Sequence, residues 1–173
     1  MGVRVRQANT GDLESVVALA ERVQLPESEE SPPDSFLVSA YHRDRYAEIL
    51  NETPHFFVAE IEGAFAGFAF GFESASIPDA NSQELNLKAE FPEPFFVIKQ
   101  VCASPDFRRQ GVASELYGAL LEAAGTQPVI ASVVTDPPNL PSEAFHQSNG
   151  FSEVMAYRGP DGRMRKVFQR LPN

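Results

Sequence analysis

A single α/β domain over residues 1–173, built on a mixed central sheet, is what the sequence predicts. Three observations carry that expectation. Short runs rich in branched and aromatic residues alternate with segments of helical period. Glycine and proline clusters punctuate the joins between them. No internal repeat, linker or compositional shift marks a second unit, and 173 residues suffice to bury one core.

The elements follow in order. VRVRQA (3–8) alternates apolar and polar residues, as a half-buried strand does. Thr10 is placed to cap a helix whose first turn holds Asp12 and Glu14, where the dipole favours acids. Leu13, Val16, Val17 and Ala20 share one face of it. PESEESPPD, from Pro26 to Asp34, is acidic and proline-bearing and reads as an exposed loop. A shorter helix is expected from Asp44 to Asn51. HFFVAEIE (55–62) and AFAGFAFGFE (64–73) form a hairpin turning near Gly63. The glycines at 63, 67 and 71 have the spacing of membrane-helix contacts, but the segment is too short and too aromatic for that. Bulges or close backbone approach are the expectation instead.

Residues 74–93 are polar without a clear period and read as a long connection. FFVIKQVCA (95–103) is the next strand, ending at Ser104–Pro105. The helix after it puts Val112, Leu116, Ala119, Leu120 and Ala123 on one face. PVIASVVT (128–135) is a further strand, broken by Pro137 and Pro138. Asn139 or Ser142 caps a short helix through Gln147, with Gly150 at its C′ position. FSEVMAY, the turn RGPDG and RMRKVFQRL close the chain as a hairpin. The sum is about seven strands flanked by about four helices.

Composition narrows the function. The 24 acidic against 14 basic side chains give a formal charge of −10, which disfavours nucleic acid and anionic membrane as partners. The same charge is compatible with a cationic ligand such as an amine. One cysteine excludes an intramolecular disulfide framework and fits a reducing cytoplasm. MGVRVRQANTGDLE lacks the layout of a signal peptide, and no apolar run reaches the ~20 residues of a spanning helix, so a cytoplasmic location is expected. No His/Cys cluster has metal-ligand spacing, and no metal is expected.

In this acidic chain, DFRRQGVASEL (106–116) sets two arginines beside each other where a helix begins. The first amides of a helix are unpaired and partially positive. A glycine there admits a bulky ligand, Ala113 and Ser114 keep the wall low, and Arg108 and Arg109 add charge. Together they suit a phosphate or pyrophosphate. The alternative is an ordinary strand-to-helix turn with solvated arginines. Neither a GxGxxG nor a P-loop pattern is present.

FVIKQVCASPDFRRQGVASELYGALLEAA resembles the cofactor motif of the GNAT superfamily of N-acetyltransferases, with Arg108, Gly111 and Ala113 in its defining positions. NLPSEAFHQSNGF is similar to the family's second motif through Asn139, Ser142, Phe145 and Gly150–Phe151, and the element order agrees over residues 1–170. The resemblance implies a GNAT-like fold with a mixed, mostly antiparallel sheet and acetyl-CoA as cosubstrate. It implies that the strand at Val101, Cys102 and Ala103 pairs with the pantetheine arm and polarises the thioester carbonyl. The backbone of Arg109, Gln110, Gly111, Val112, Ala113 and Ser114, with Arg108 beside it, would wrap the pyrophosphate. Asn139 would contact pantetheine, and a bulge with a splay between the 95–103 and 128–135 strands would make room for it.

Acetyl transfer to an amine must free the amine's lone pair and stabilise a leaving thiolate. Where the family usually has a tyrosine as proton donor, this chain has His146, which either donates as a charged imidazole or packs against its neighbours. No base stands out. Lys99 and Gln100 occupy the strand where some relatives have a carboxylate. Glu60, Glu62, Glu73 and Asp136 are the acids near strand ends, each read first as solvated. His42 and His55 have no assigned role. Cys102 is expected to be buried and not a nucleophile. The implied function is N-acetylation of a primary amine by direct attack in a ternary complex. The alternative is an acyl-CoA-binding module with little catalysis. The acceptor is expected near residues 24–45, 74–93 and 157–164, where Glu27, Glu29, Glu30, Asp34, Asp79 and Glu84 either steer a cation or only solubilise. Exposed strands of such folds often pair, so a homodimer is a further expectation.

Overall fold

The computed structural model describes residues 2–25, 37, 40–78 and 82–173, with backbone alone at 82–85. The expected loop at Pro26–Asp34, Asp79 and the side chain of Glu84 lie outside the described residues. Among the described residues, seven strands form one sheet in the order β1-β2-β3-β4-β5-β7-β6. They are β1 (Arg4–Gln7), β2 (Phe56–Ile61), β3 (Ala64–Glu73), β4 (Phe96–Ala103), β5 (Val129–Val134), β6 (Ser152–Arg158) and β7 (Met164–Arg170). Every neighbouring pair is antiparallel except β4 with β5. The helices are α1 (Leu13–Val23), α2 (Arg43–Glu52), α3 (Ser82–Glu90), α4 (Val112–Ala124) and α5 (Leu140–Ser148).

Alternation along the strands sends side chains to opposite faces. On one face Phe56, Val58, Phe68, Phe70 and Phe72 pack with Leu13 and Val16 of α1, Tyr46 and Ile49 of α2 and Leu87 of α3. On the other, Ala59, Ala69, Phe96, Ala131 and Phe168 meet Val112, Leu116, Tyr117 and Leu120 of α4 and Phe145 of α5. The β3–β4 contact depends on glycine. A Cβ at Gly71 would lie 2.6 Å from the Val97 carbonyl oxygen and the Phe96 ring, and one at Gly67 would lie 2.5 Å from the Cys102 oxygen. These positions mark close approach of strands, as expected.

Three expectations are corrected. The helix N-cap is Asn9, not Thr10: its side chain accepts from Gly11 N while Asp12 accepts from Asn9 N, a capping box opening a short 3-10 turn before α1. Arg6 then holds Asp12 with two bonds of 2.8 Å and Glu60 with bonds of 3.0 and 2.8 Å. Within 74–93, read as a connection, α3 forms. Its helix formers Gln83, Glu84, Leu85, Lys88 and Ala89 supply propensity without an amphipathic period. The buried face of α4 holds Tyr117 and Ala124 in place of Ala119 and Ala123, a rotation by about one position.

Candidate functional site

The centre of the sheet is where its regularity fails. Phe70 pairs with Gln100 but Gly71 pairs with Ile98, so Lys99 is an extra residue in β4, a bulge. On its other side β4 pairs with β5 only at Phe96–Val129, Val97–Ile130 and Ile98–Ala131. β5 continues along β7 as far as Val134–Arg165. The two strands therefore part at the bulge. A wedge opens between 99–103 and 132–134, edged by the backbone of Val101, Cys102 and Ala103.

At the upper end of β4 the Ser104 hydroxyl accepts from Asp106 N at 3.3 Å and starts a 3-10 turn. Arg109 (φ 60°) and Gly111 (φ 84°) both take the left-handed conformation before α4 begins at Val112. Glycine bears that conformation without strain, and a Cβ at Gly111 would meet no protein atom within 4 Å. Arg108, Arg109, Gln110, Gly111 and Ser114 are exposed, Ala113 is half-buried and Val112 is buried. Arg108 and Arg109 make no ion pair among the described residues. The next acid, Asp106, is taken by Arg22 of α1 through bonds of 2.7 and 2.9 Å. The outcome is a bare, cationic helix start facing solvent.

Asn139 is the N-cap of α5, yet its side chain makes no capping bond. Its Oδ1 is buried and has no partner among the described residues. An enclosed acceptor of this kind costs about 1–3 kcal/mol unless a donor reaches it. An amide N–H of a ligand fits that requirement, and pantetheine carries such groups, so the residues present suit the cosubstrate the motif implies.

His146 is 7% exposed. Its Nδ1 lies 2.7 Å from the Ser142 carbonyl, which accepts the ring N–H. The ring stacks on Phe168 at 5.6 Å and 22° and stands edge-on to Tyr117 and Phe151, each at 5.3 Å. Burial lowers its pKa below the usual imidazole range despite the bond to Ser142. This placement favours the packing role over proton donation.

On the opposite face the Tyr46 hydroxyl donates to Gln100 Oε1 at 3.0 Å, joining α2 to the first residue past the bulge. Burial pushes the Cys102 thiol up to about 12, so it carries no thiolate at neutral pH. None of the acids considered as bases lies on the 99–103 segment of β4. Arg6 holds Glu60, Glu73 lies 3.6 Å from His55 Nε2, Glu62 sits in the β2–β3 turn (φ 52°) and Asp136 is exposed beyond β5. His42 is the N-cap of α2 and makes no side-chain cap bond. Sequence reasoning passed over Tyr117 and Tyr46. For Tyr117 the signal was its spacing with Ala113, Leu120 and Ala124, a second helical stripe. An open groove of about 700 Å³ between α4 and β1, lined partly by Arg6, Glu115 and Glu122, lies at the far sheet edge from the wedge. Among the described residues no cluster could hold a metal ion, and no helix is long and apolar enough to cross a membrane.

The fold thus sets a parted central strand pair beside a glycine-opened, cationic helix start. Residues 19–151 match the model of the acetyltransferase (GNAT) family, and the chain belongs to that family. Solved structures agree in fold. Ard1 from Thermoplasma volcanium superposes with a TM-score of 0.71 at 20% identity, covering 100% of this chain and 99% of its own. The ribosomal-protein-S18-alanine N-acetyltransferase from Escherichia coli gives 0.64 at 18%, covering 98% and 93%. Chaetomium thermophilum Naa20, in complex with a bisubstrate analogue, gives 0.72 at 19%, covering 98% and 86%. No curated protein matches the sequence significantly.

Proposed function

We propose that this chain transfers an acetyl group from acetyl-CoA to a primary amine by direct attack in a ternary complex. The observation that carries this reading is the wedge between β4 and β5, with the unpartnered Asn139 oxygen on the helix that follows. A strand edge stripped of its neighbour offers backbone donors and acceptors at the spacing an extended amide chain needs. Acetyl-CoA supplies an activated acyl carbon. The amides at the start of α4, from Arg109 to Ser114, bind the diphosphate, and Arg108 and Arg109 add charge. Asn139 Oδ1 accepts an amide N–H of the arm. The backbone between Val101 and Ala103 polarises the thioester carbonyl. Cys102, protonated and buried, takes no covalent part.

The amine's proton leaves through water, since the strand at the bulge offers Lys99 and Gln100 and no carboxylate. That arrangement suits an α-amino group, with pKa of about 7.7–8.0, better than a lysine side chain near about 10.4. Two similar folds, from Escherichia coli and Brucella melitensis, are named for acetylating ribosomal-protein alanine, which supports trying such acceptors first.

A thiol-release assay with acetyl-CoA tests the proposal on a peptide with free N-terminal alanine, a lysine side-chain amine and a polyamine. Release with at least one amine, fastest for the α-amine, is expected. CoA-induced thermal stabilisation without release for any amine would instead establish the non-catalytic acyl-CoA-binding module.

A further inference from the structure

Two opposite charges meet beside the turn that joins β4 to α4. Arg22, in the last turn of α1, donates through Nη1 to Asp106 Oδ2 at 2.7 Å and through Nη2 to Oδ1 at 2.9 Å. One guanidinium fork therefore engages both carboxylate oxygens. The side chains are 51% and 62% exposed, so the pair adds little to the stability of the fold.

The turn has other means of keeping its shape. Ser104 is buried, donates its N–H to the Ala66 carbonyl at 2.8 Å and accepts from Asp106 N through its hydroxyl at 3.3 Å. Phe107 N bonds to the Ser104 carbonyl at 3.1 Å, and its side chain packs against the core that α4 covers. What Arg22 alters is charge. From Ser104 to Ser114 the sole acid is Asp106, two and three residues before Arg108 and Arg109. Those arginines make no ion pair among the described residues. A carboxylate left unheld there would draw on them, or repel an anion at the first amides of α4.

We propose that Arg22 is a positioning residue for the diphosphate of acyl-CoA: it holds Asp106 aside and so keeps Arg108, Arg109 and the first amides of α4 free for the ligand. This rests on the reading of that turn as the diphosphate site. Helix α1 thereby takes part in cosubstrate binding, acting through Asp106. Arginine suits the task better than lysine, because its planar fork occupies both carboxylate oxygens together.

Isothermal titration with CoA tests this on the full chain, on Arg22→Gln, on Asp106→Asn and on the double variant. Arg22→Gln should raise the Kd about 3- to 10-fold at low salt, and the difference should shrink in about 1 M salt, where the screening length is about 3 Å. Asp106→Asn should bind no more weakly than the parent. Added to Arg22→Gln, it should bring the Kd back to within about twofold of the parent. All three variants should melt within about 2 °C of the parent, because the pair is exposed. Parent-like binding by Arg22→Gln overturns the inference. A double variant as weak as Arg22→Gln overturns it too, since Arg22 would then act on its own. So does an equally weak Asp106→Asn, which would make the pair a brace for the turn. A parent that shows neither heat nor thermal stabilisation with CoA overturns the diphosphate reading itself, and this inference with it.

Discussion

At Gly111 two requirements meet in one residue, a left-handed backbone and an open side toward solvent. A β-branched residue there is strained whatever the space, by roughly 1–3 kcal/mol. Gly111→Val is therefore expected to lower the melting temperature and abolish CoA binding, whereas Arg109→Ala, which removes one exposed charge, weakens binding only about 3- to 10-fold and more at low salt. Isothermal titration of both variants with CoA at two ionic strengths checks this, and parent-like binding by both would end the cradle reading. The turn was legible in the sequence because glycine and arginine act there through backbone freedom and charge, which travel with residue type. His146 was half legible. Its position in the motif could be read from the sequence, but its burial against Phe168 depends on β7, which lies 22 residues further on at the contact.

Among the elements, strands and their turns were read well because aromatic and branched runs bounded by glycine or proline leave few alternatives. Helix α3 escaped because Leu87 is its one described buried side chain, so no periodic stripe announced it. The wedge was expected from the resemblance alone. Nothing local in FFVIKQVCA marks Lys99 as the extra residue, since a bulge is settled by the partner strand's register. Tyr46 ties α2 to that same place, and it gives a contrast with Tyr117. Tyr46→Phe removes a buried hydrogen bond to Gln100, costs about 1–2 kcal/mol and should lower the melting temperature by roughly 2–6 °C. The buried Tyr117 hydroxyl has no partner among the described residues, so differential scanning calorimetry should find Tyr117→Phe shifted upward where Tyr46→Phe is shifted downward.

For the molecule as a whole, pH is the variable that acts on many sites together. His146 is buried and its pKa is lowered, chiefly by desolvation. The Asp161 carboxyl is drawn down to about 2, first by its hydrogen bonds from Arg165. In both cases the unfolded chain binds more protons, so stability falls as pH falls. His146 begins to cost stability as pH drops through its ordinary value of 6.5. Asp161 contributes fully above 3.8 and loses that contribution as pH falls toward about 2. Melting curves from pH 8 to pH 2 should show two separate declines, and His146→Phe should flatten the upper one alone.

The short seam between β4 and β5 also bears on how the sheet breathes. Three register pairs and the bond from Phe96 N to the Pro128 carbonyl join the β1–β4 meander to the β5–β7–β6 half. Each half is otherwise closed by long antiparallel ladders. Deuterium labelling of the unliganded protein should therefore find two protected cooperative blocks, with rapid uptake along the part of β4 that has lost its neighbour. On the proposed binding mode, added CoA should slow uptake on that part of β4 first, before either block changes, because it would take the place of the missing strand.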